Sequence, residues 1–342
     1  PAPPLAGPRR TLRGGRARHP AGAAGGGGGA RTACRAGPCA GRADRRSGGV
    51  LLRQLHPEQA VRLSREPRAG PGRMIHTVPQ PADDADWQVP SHETAVYAPR
   101  RHAHALVIPV INEGERIRGQ LLRIQAAGLP VDVIVADGGS TDGSLDQDFI
   151  AGAGVRAVLT KTGPGKLSAQ LRMAYAFALR EGYAGIVTID GNGKDGVKAV
   201  RAMVERLEAG ADYVQGSRYL PGGMAENTPL ERTIANRLIH APLLSLAGRH
   251  WFTDTTNGFR AYSAAYLTHP EVRPFREEFA VYSLLFYLTV RAGQLGLRVE
   301  HVPVERRYPD DGKVPTKIGG FASKLALLGE TVFAATGGHT PA

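Results

Sequence analysis

The chain has 342 residues, enough for one large domain or two smaller ones, and carries a net charge of +12. Residues 1–73 hold fifteen Arg and three acids, so they account for this charge, and residues 74–342 are neutral. The folded part is therefore neutral, its charge gives no case for nucleic acid as a partner, and none is expected.

Residues 1–73 are rich in Gly, Pro, Ala and Arg and cannot bury enough apolar surface to fold, so we predict a disordered tail. It is interpreted as translated upstream sequence or a dispensable tail, which leaves open whether it belongs to the native protein. An Arg-rich transit peptide and a nucleic-acid-binding tail are the alternatives. Both cysteines, Cys34 and Cys39, lie here, so the rest of the chain uses no thiol chemistry.

After a lead-in segment (74–102), the pattern alternates between strands and helices. Strands are predicted at 103–110, 131–136, 155–159, 185–189 and 211–215, and helices at 113–127, 167–180 and 197–207. Thr141 is expected to cap a further helix. This order predicts an α/β fold with a largely parallel sheet covered by helices on both faces.

The second half has a different rhythm. Helices are predicted around 230–247 and 279–292 and near the end, strands at 258–262 and 297–304, and a basic loop at 306–317. We expect one domain over 103–335, with a nucleotide-binding half (103–216) and an acceptor half (217–335). No apolar stretch approaches the length of a membrane span.

Two acidic turns each close a buried strand, in VADGGSTDGS (135–144) and TIDGNGKD (188–195). In an open α/β sheet, ligands bind at the carboxyl ends of strands. We expect Asp137 to face a nucleotide base or ribose, with Gly138 and Gly139 leaving room for it. The alternative is a helix-capping turn that uses Ser140 or Thr141.

The second turn has the spacing of a metal site. Asp190 and the amide oxygen of Asn192 are hard oxygen donors of the kind that divalent cations prefer, and a diphosphate would complete the shell. Lys194 is a candidate contact for that diphosphate. The same stretch reads G-x-G-x-x-G (191–196), which keeps an NAD(P)-dependent oxidoreductase as an alternative. A non-catalytic sugar-nucleotide binder is a third possibility, because Asn replaces a second acid.

Together with IPVINEGE (108–115), GSRYLPGG (216–223) and DTTNGFRAY (254–262), these turns resemble a family 2 glycosyltransferase of the GT-A fold. The resemblance covers about 103–317 and is closest to the dolichyl- or polyprenyl-phosphate sugar transferase branch. It implies a Rossmann-like sheet and transfer, with inversion, of a sugar from a nucleotide-diphospho-sugar to a polyprenyl phosphate or a glycan hydroxyl. It also implies Mg²⁺ or Mn²⁺ as the cofactor, held by Asp190 and Asn192.

The resemblance carries expectations for single residues. The nucleotide sugar is expected to contact Pro109, Asn112, Glu113, Asp137, Gly139, Lys166, Asp190 and Lys194. Arg218, Asp254 and Arg260 are the expected catalytic residues, with Asp254 the first candidate for a general base and Glu277 and Glu278 behind it. Arg307, Lys313 and Lys317 are expected to bind phosphates of the acceptor side. Asn192 stands where the family usually has a second Asp, and Lys194 where this branch often has Gln.

The helix around 230–247 mixes apolar residues with Arg, and Trp251 follows it. A buried core helix is the favoured interpretation, and contact with an acidic membrane surface is the alternative. The expected location is cytoplasmic, with peripheral attachment to the inner face of a membrane as an alternative.

Overall fold

The computed structural model describes residues 84–309 and 321–341. The predicted tail (1–73), with both cysteines, and much of the basic loop lie outside the described residues. Within them the chain forms one large sheet, a small two-stranded sheet and helices on both sides of the large sheet.

The large sheet has eight strands in the order β1-β4-β3-β2-β5-β8-β6-β9, and β7 pairs with β10 in the small sheet. The strands are β1 (His92–Val96), β2 (His104–Val110), β3 (Asp132–Asp137), β4 (Val155–Lys161), β5 (Gly185–Thr188), β6 (Tyr213–Ser217), β7 (Met224–Glu226), β8 (Arg260–Ser263), β9 (Val299–Pro303) and β10 (Glu305–Arg307). Neighbours in the large sheet run parallel except at the β1–β4, β5–β8 and β8–β6 pairs.

The helices connect and cover these strands. They are α1 (Glu115–Ala127), α2 (Gln147–Gly152), α3 (Leu167–Arg180), α4 (Ala199–Glu208), α5 (Leu230–Ala235), a π-helical turn (Asn236–His240), α6 (Ala241–Ala247), α7 (Ala264–Leu267), α8 (Ser283–Gln294) and α9 (Phe321–Ala335). A core that includes residues of α3 and α8 fills one face of the sheet, and a core that includes residues of α1 and α4 fills the other.

Central strands are buried on both faces, which explains their continuous apolar sequence. Every residue of β3 is buried, and so is β2 except for half-buried Pro109. Such runs are typical of parallel strands covered by helices on both sides. The expected fold class, a mostly parallel sheet covered on both faces, is confirmed.

Four features differ from the expectations. The lead-in segment contributes β1, which pairs antiparallel with β4. The helix after the first acidic turn begins at Gln147, and its cap is Asp146, whose carboxylate accepts from the Phe149 N–H at 3.0 Å. The prediction that Thr141 caps it was wrong, because the helix starts only after Asp146, and the Thr141 N–H donates to Asn112 of the preceding loop. β8 enters the sheet antiparallel, and a π-helical turn interrupts the predicted helix at 230–247.

Candidate active site

The predicted motifs converge at the edge of the sheet where β2, β3 and β5 end. Val110 closes β2, Asp137 closes β3, and Asp190 lies just beyond β5. Because β8 is antiparallel and pairs Arg260 with the last residue of β5, the turn before β8 reaches the same edge. This is the edge at which open α/β sheets bind ligands.

The first acidic turn is joined to the end of β2 by side-chain hydrogen bonds. Asn112 adopts a left-handed backbone conformation (φ 50°), which Asn tolerates better than most residues. Its N–H donates to Ser140 Oγ at 3.0 Å, and its Oδ1 accepts from the Thr141 N–H at 2.8 Å. Asp137 is buried and accepts from the Ser140 N–H at 2.9 Å and hydroxyl at 2.6 Å. Asn112 and Asp137, predicted from separate motifs, are therefore linked through Ser140.

Gly138 allows the Gln170 side chain to pack closely against this turn. The Gln170 amide nitrogen donates to the carbonyls of Val110 and Ala136, at 2.9 Å each, and so holds two strand ends together. A Cβ atom on Gly138 would lie 2.9 Å from that nitrogen. The space expected for a ligand at Gly138 is therefore filled by Gln170, whereas Gly139 needs glycine for its positive φ of 93°.

Two further predicted residues lie at the end of β2. Half-buried Pro109 pairs in register with Ala136 of β3, and its carbonyl oxygen would lie 2.8 Å from a Cβ on Gly191. Glu113 accepts from the Arg116 guanidinium at 2.8 Å, just at the start of α1. The absence of a side chain at Gly191 therefore lets the second acidic turn approach the backbone of β2 at Pro109.

Gln120 of α1 fixes the backbone of the second acidic turn. Its amide nitrogen donates to the Asp190 carbonyl at 2.9 Å, and its oxygen accepts from the Gly193 N–H at 2.8 Å. Gly191 approaches Pro109, and Gly193 has a positive φ of 74°. Two glycines of the G-x-G-x-x-G pattern are therefore explained by the geometry of this turn, without a dinucleotide.

Arg306 of β10 links two carboxylates of this turn. Its Nη1 donates to both oxygens of Asp195 at 2.8 and 2.6 Å, and its Nη2 donates to Asp190 Oδ2 at 2.9 Å. Arg306 and Asp195 are both buried, whereas the Asp190 side chain is 27% exposed. Burial raises the pKa of Asp195 to about 6, although Arg306 acts in the opposite direction. The pKa of Arg306 stays well above its ordinary value, because the two carboxylates outweigh the effect of burial.

Lys194 adds a second cation beside Asp190. Its Nζ lies 4.8 Å from the centre of the Tyr308 ring, and its side chain is buried. Burial, with a contribution from Arg306, lowers the pKa of Lys194. A bound diphosphate would relieve this repulsion between two neighbouring cations.

Arg218 and Asp254 form a buried ion pair at the end of β6. Arg218 Nε and Nη2 donate to the two carboxylate oxygens at 2.7 and 2.8 Å, and the Arg218 N–H donates at 3.2 Å. Arg218 also donates to Thr256 Oγ1 at 3.1 Å. Asp254 is fully buried. Both of its oxygens are therefore engaged, and the geometry does not present Asp254 as a free base.

The Arg260 side chain does not reach the candidate active site. Its guanidinium is buried and donates to the carbonyls of Thr255 at 2.6 Å and Asn257 at 2.9 Å, and to Thr289 Oγ1 at 2.8 Å. From inside the protein, Arg260 therefore stabilises the turn that carries Asp254.

The other predicted cations are exposed or lie outside the described residues, although the Arg307 backbone N–H donates to the Lys194 carbonyl at 2.9 Å. The Arg307 side chain is exposed and pairs with Glu226. Lys166 is exposed at the start of α3, where its backbone N–H donates to Ala280. Lys313 and Lys317 are outside the described residues. The two candidate bases behind Asp254, Glu277 and Glu278, are both exposed.

The donor atoms near Asp190 fit a divalent cation only in part. Within the described ranges no group of three or more His, Cys, Asp or Glu side chains is placed to hold a metal. Asp190 and Asn192 carry a carboxylate oxygen and an amide oxygen, which are suitable hard ligands, but the Asn192 amide nitrogen donates to Asp190 Oδ2 at 3.4 Å and its oxygen accepts from the Lys194 N–H at 3.3 Å. Arg306 already shares Asp190 Oδ2. A cation here needs most of its shell from a bound diphosphate and water.

Asp195, Arg306 and Tyr308 were missed as site residues. The signal was present in VPVERRYP (302–309), where Val302, Val304, Arg306 and Tyr308 are buried and the residues between them are exposed. This period of two is typical of an extended strand with one buried face. It places Arg306 on the side of the apolar residues, opposite Arg307.

The chain is similar in sequence and in fold to several known proteins. The model of glycosyl transferase family 2 matches residues 105–269. Polyprenol monophosphomannose synthase of Mycolicibacterium smegmatis is 29% identical over 204 residues, which cover 58% of this chain and 75% of that protein. Undecaprenyl-phosphate mannosyltransferase of Micrococcus luteus is 30% identical over 203 residues, covering 58% and 81%. A structure of glucosyl-3-phosphoglycerate synthase from Mycobacterium tuberculosis, in complex with Mn²⁺, uridine diphosphate and phosphoglyceric acid, is similar at 20% identity, with a TM-score of 0.49 over 70% of this chain and 79% of that one. None of these similarities favours the oxidoreductase alternative.

Proposed function

The chain belongs to glycosyltransferase family 2, and from that premise we propose that it transfers a sugar from a nucleotide-diphospho-sugar to a polyprenyl phosphate. The names of the two similar enzymes, which refer to a polyprenol and to undecaprenyl phosphate, support a lipid-phosphate acceptor. They also make mannose the first sugar to test.

The observation that carries the choice of acceptor is the Arg218–Asp254 pair. A sugar hydroxyl needs a base to take its proton, whereas a phosphate acceptor arrives already ionised. Both oxygens of the buried Asp254 carboxylate accept hydrogen bonds from Arg218. Asp254 therefore acts as a positioning residue for Arg218, a cation suited to an anionic acceptor.

On the donor side, Asp190 and Asn192 would hold Mg²⁺ or Mn²⁺ against the diphosphate, where the cation would neutralise charge on the leaving group. The side-chain cations Lys194 and Arg306 support the same charge from the protein. Asn112, Glu113, Asp137 and Gly139 are proposed to contact the nucleotide. An acceptor oxygen attacking opposite the diphosphate would invert the anomeric centre.

We further propose that the enzyme works on the cytoplasmic face of a membrane, as a peripheral protein. A polyprenyl phosphate has its chain in the bilayer, so the enzyme must reach it there. In the described part of the chain, no helix combines the length and apolar character that crossing a bilayer demands.

The test is transfer of labelled sugar by the full chain from GDP-, UDP-, CDP- and dTDP-sugars, with and without Mn²⁺. A short-chain prenyl phosphate, the matching prenyl alcohol and a free glycan serve as acceptors. We expect product with the prenyl phosphate only. Transfer to the alcohol or the glycan, with none to the phosphate, would replace the proposal by a hydroxyl-directed transferase.

A further inference from the structure

The helical segment at 230–251 and α9 expose an unusual amount of apolar surface. Nine of the eleven large apolar side chains that are exposed in the described residues belong to them. We call these nine the helical apolar surface: Leu230, Ile234, Leu238, Ile239, Leu246, Trp251, Leu325, Val332 and Phe333. Leu246 is 82% exposed and Trp251 is 71% exposed. A concentration of this kind marks an interaction site rather than the scattered apolar residues of an ordinary surface.

The two helical segments are held side by side. Lys324 Nζ lies 2.8 Å from the Glu231 carboxylate, and the His240 ring forms a hydrogen bond of 3.1 Å with Thr331 Oγ1. Leu244 packs with α8 and α9 residues in a small shared core. The exposed apolar side chains of both segments therefore flank the same junction. The prediction that the helix at 230–247 is buried in the core was therefore wrong for the side that carries these exposed residues.

Basic side chains accompany the apolar ones. Arg237, Arg249 and Lys324 are exposed, Arg232 is half-buried, and the one exposed acid on these two segments, Glu231, is paired with Lys324. Apolar side chains bordered by Arg and Lys are typical of helices that lie in the interface of an anionic bilayer. The charge selects an acidic lipid surface over a neutral apolar partner.

The inner side of the same helix contacts the candidate active site. The Asn236 amide nitrogen donates to the Thr253 carbonyl at 3.2 Å, and its oxygen accepts from the Thr255 N–H at 3.1 Å. These two hydrogen bonds join the helix to the turn that carries Asp254. The centre of the Tyr219 ring lies 5.3 Å from the guanidinium carbon of both Arg218 and Arg237. The same aromatic ring thus contacts both an exposed arginine and the buried arginine of the site.

We propose that the helical apolar surface docks on an anionic lipid bilayer and brings Arg218 to the level of the lipid head groups. The proposal rests on the polyprenyl-phosphate acceptor proposed above and adds which side of the protein faces the membrane. Leu238, Leu246 and Trp251 enter the interface, and Arg237, Arg249 and Lys324 contact acidic head groups.

The test uses the full chain with vesicles of phosphatidylcholine, with and without phosphatidylglycerol. We expect flotation with the anionic vesicles and a blue shift of tryptophan emission, because Trp251 is exposed in the free protein. Leu238→Asp with Leu246→Asp should lower the partition coefficient by on the order of 100-fold, because each leucine contributes roughly tenfold or more. The matched control is Val96→Asp with Leu122→Asp, exposed apolar residues elsewhere that are 59% and 50% exposed. It should bind like the wild type.

Transfer to a water-soluble short-chain prenyl phosphate separates the two proposals. If that transfer occurs but the wild-type chain does not bind anionic vesicles, the docking proposal fails and the function stands. If vesicles bind but no acceptor phosphate is used, the function fails and the docking surface stands. Equal binding by both double variants, or a lipid-free dimer that Leu238→Asp disrupts, would overturn the docking proposal.

Discussion

Replacing Asp254 by Asn distinguishes a positioning residue from a general base. Asp254 is fully buried and accepts three hydrogen bonds from Arg218, at 2.7, 2.8 and 3.2 Å. The substitution leaves a guanidinium that is 5% exposed without its counter-charge. Breaking a buried pair in this way costs about 3–5 kcal/mol. We expect the free energy of unfolding to fall by that amount, together with a loss of transfer activity.

Urea unfolding followed by tryptophan fluorescence measures this loss. Asp84→Asn is the control, because Asp84 pairs with Arg180 at the surface with both side chains over 40% exposed. Such a pair contributes about 0–1 kcal/mol. The double variant Arg218→Gln with Asp254→Asn removes both buried charges and should regain part of the stability, but no activity.

The opposite result would refute this reasoning. If Asp254→Asn unfolds within about 0.5 kcal/mol of the wild type while kcat falls by orders of magnitude at unchanged KM, the Arg218 pair is energetically unimportant. Asp254 would then be a base, and a hydroxyl acceptor would become the better proposal.

Three further predictions follow from single contacts. Asp190→Ala should abolish the additional thermal stabilisation of the donor-bound protein by Mn²⁺. A sugar nucleotide at about a hundred times its Kd adds about 2.7 kcal/mol to the free energy of unfolding. An unchanged effect of Mn²⁺ in the variant would exclude Asp190 as a ligand. Gly258→Ala should reduce donor binding strongly in a folded protein, because its Cβ would clash with Asp190 Oδ1. Gly119→Ala, with its nearest contact at 3.5 Å, should bind normally in the same titration. Burial, with His250, lowers the pKa of His301 to about 4, so protonation of this ring favours the unfolded chain. The contribution of His301 to the free energy of unfolding is therefore complete above about pH 6.5 and falls by up to about 3 kcal/mol towards pH 4. His301→Leu should flatten this pH dependence in unfolding measurements.

The strands and acidic turns of residues 103–216 could be predicted from sequence because their signals are local. Asp137 and Asp190 each follow an apolar strand directly, and parallel strands bring their carboxyl ends to one edge. Gly139 and Gly193 mark turns that need a positive φ. Each inference needed only a few neighbouring residues.

The rest of the site depends on partners that are distant in the sequence. Arg306 meets Asp195 across 111 positions, and Arg218 meets Asp254 across 36. Local sequence shows that these side chains are charged, but not whether they face a ligand or one another. The helix at 230–247 presented the same difficulty, because mixed apolar and basic residues fit both a core and a membrane surface until their exposure is known.

In the proposed metal site, a neutral Asn192 stands where the resemblance implies a second Asp, and the charges around the second acidic turn bear on this difference. Asp190 and Asp195 are balanced by Lys194 and Arg306, so a divalent cation meets no net negative charge before the donor binds. In the proposed complex the diphosphate supplies that charge and gives both cations a new anionic partner. Donor and metal then strengthen each other's binding by the same factor, as linkage requires. Asp195, which holds Arg306 beside Asp190, and the neutral Asn192 are therefore two parts of one charge arrangement.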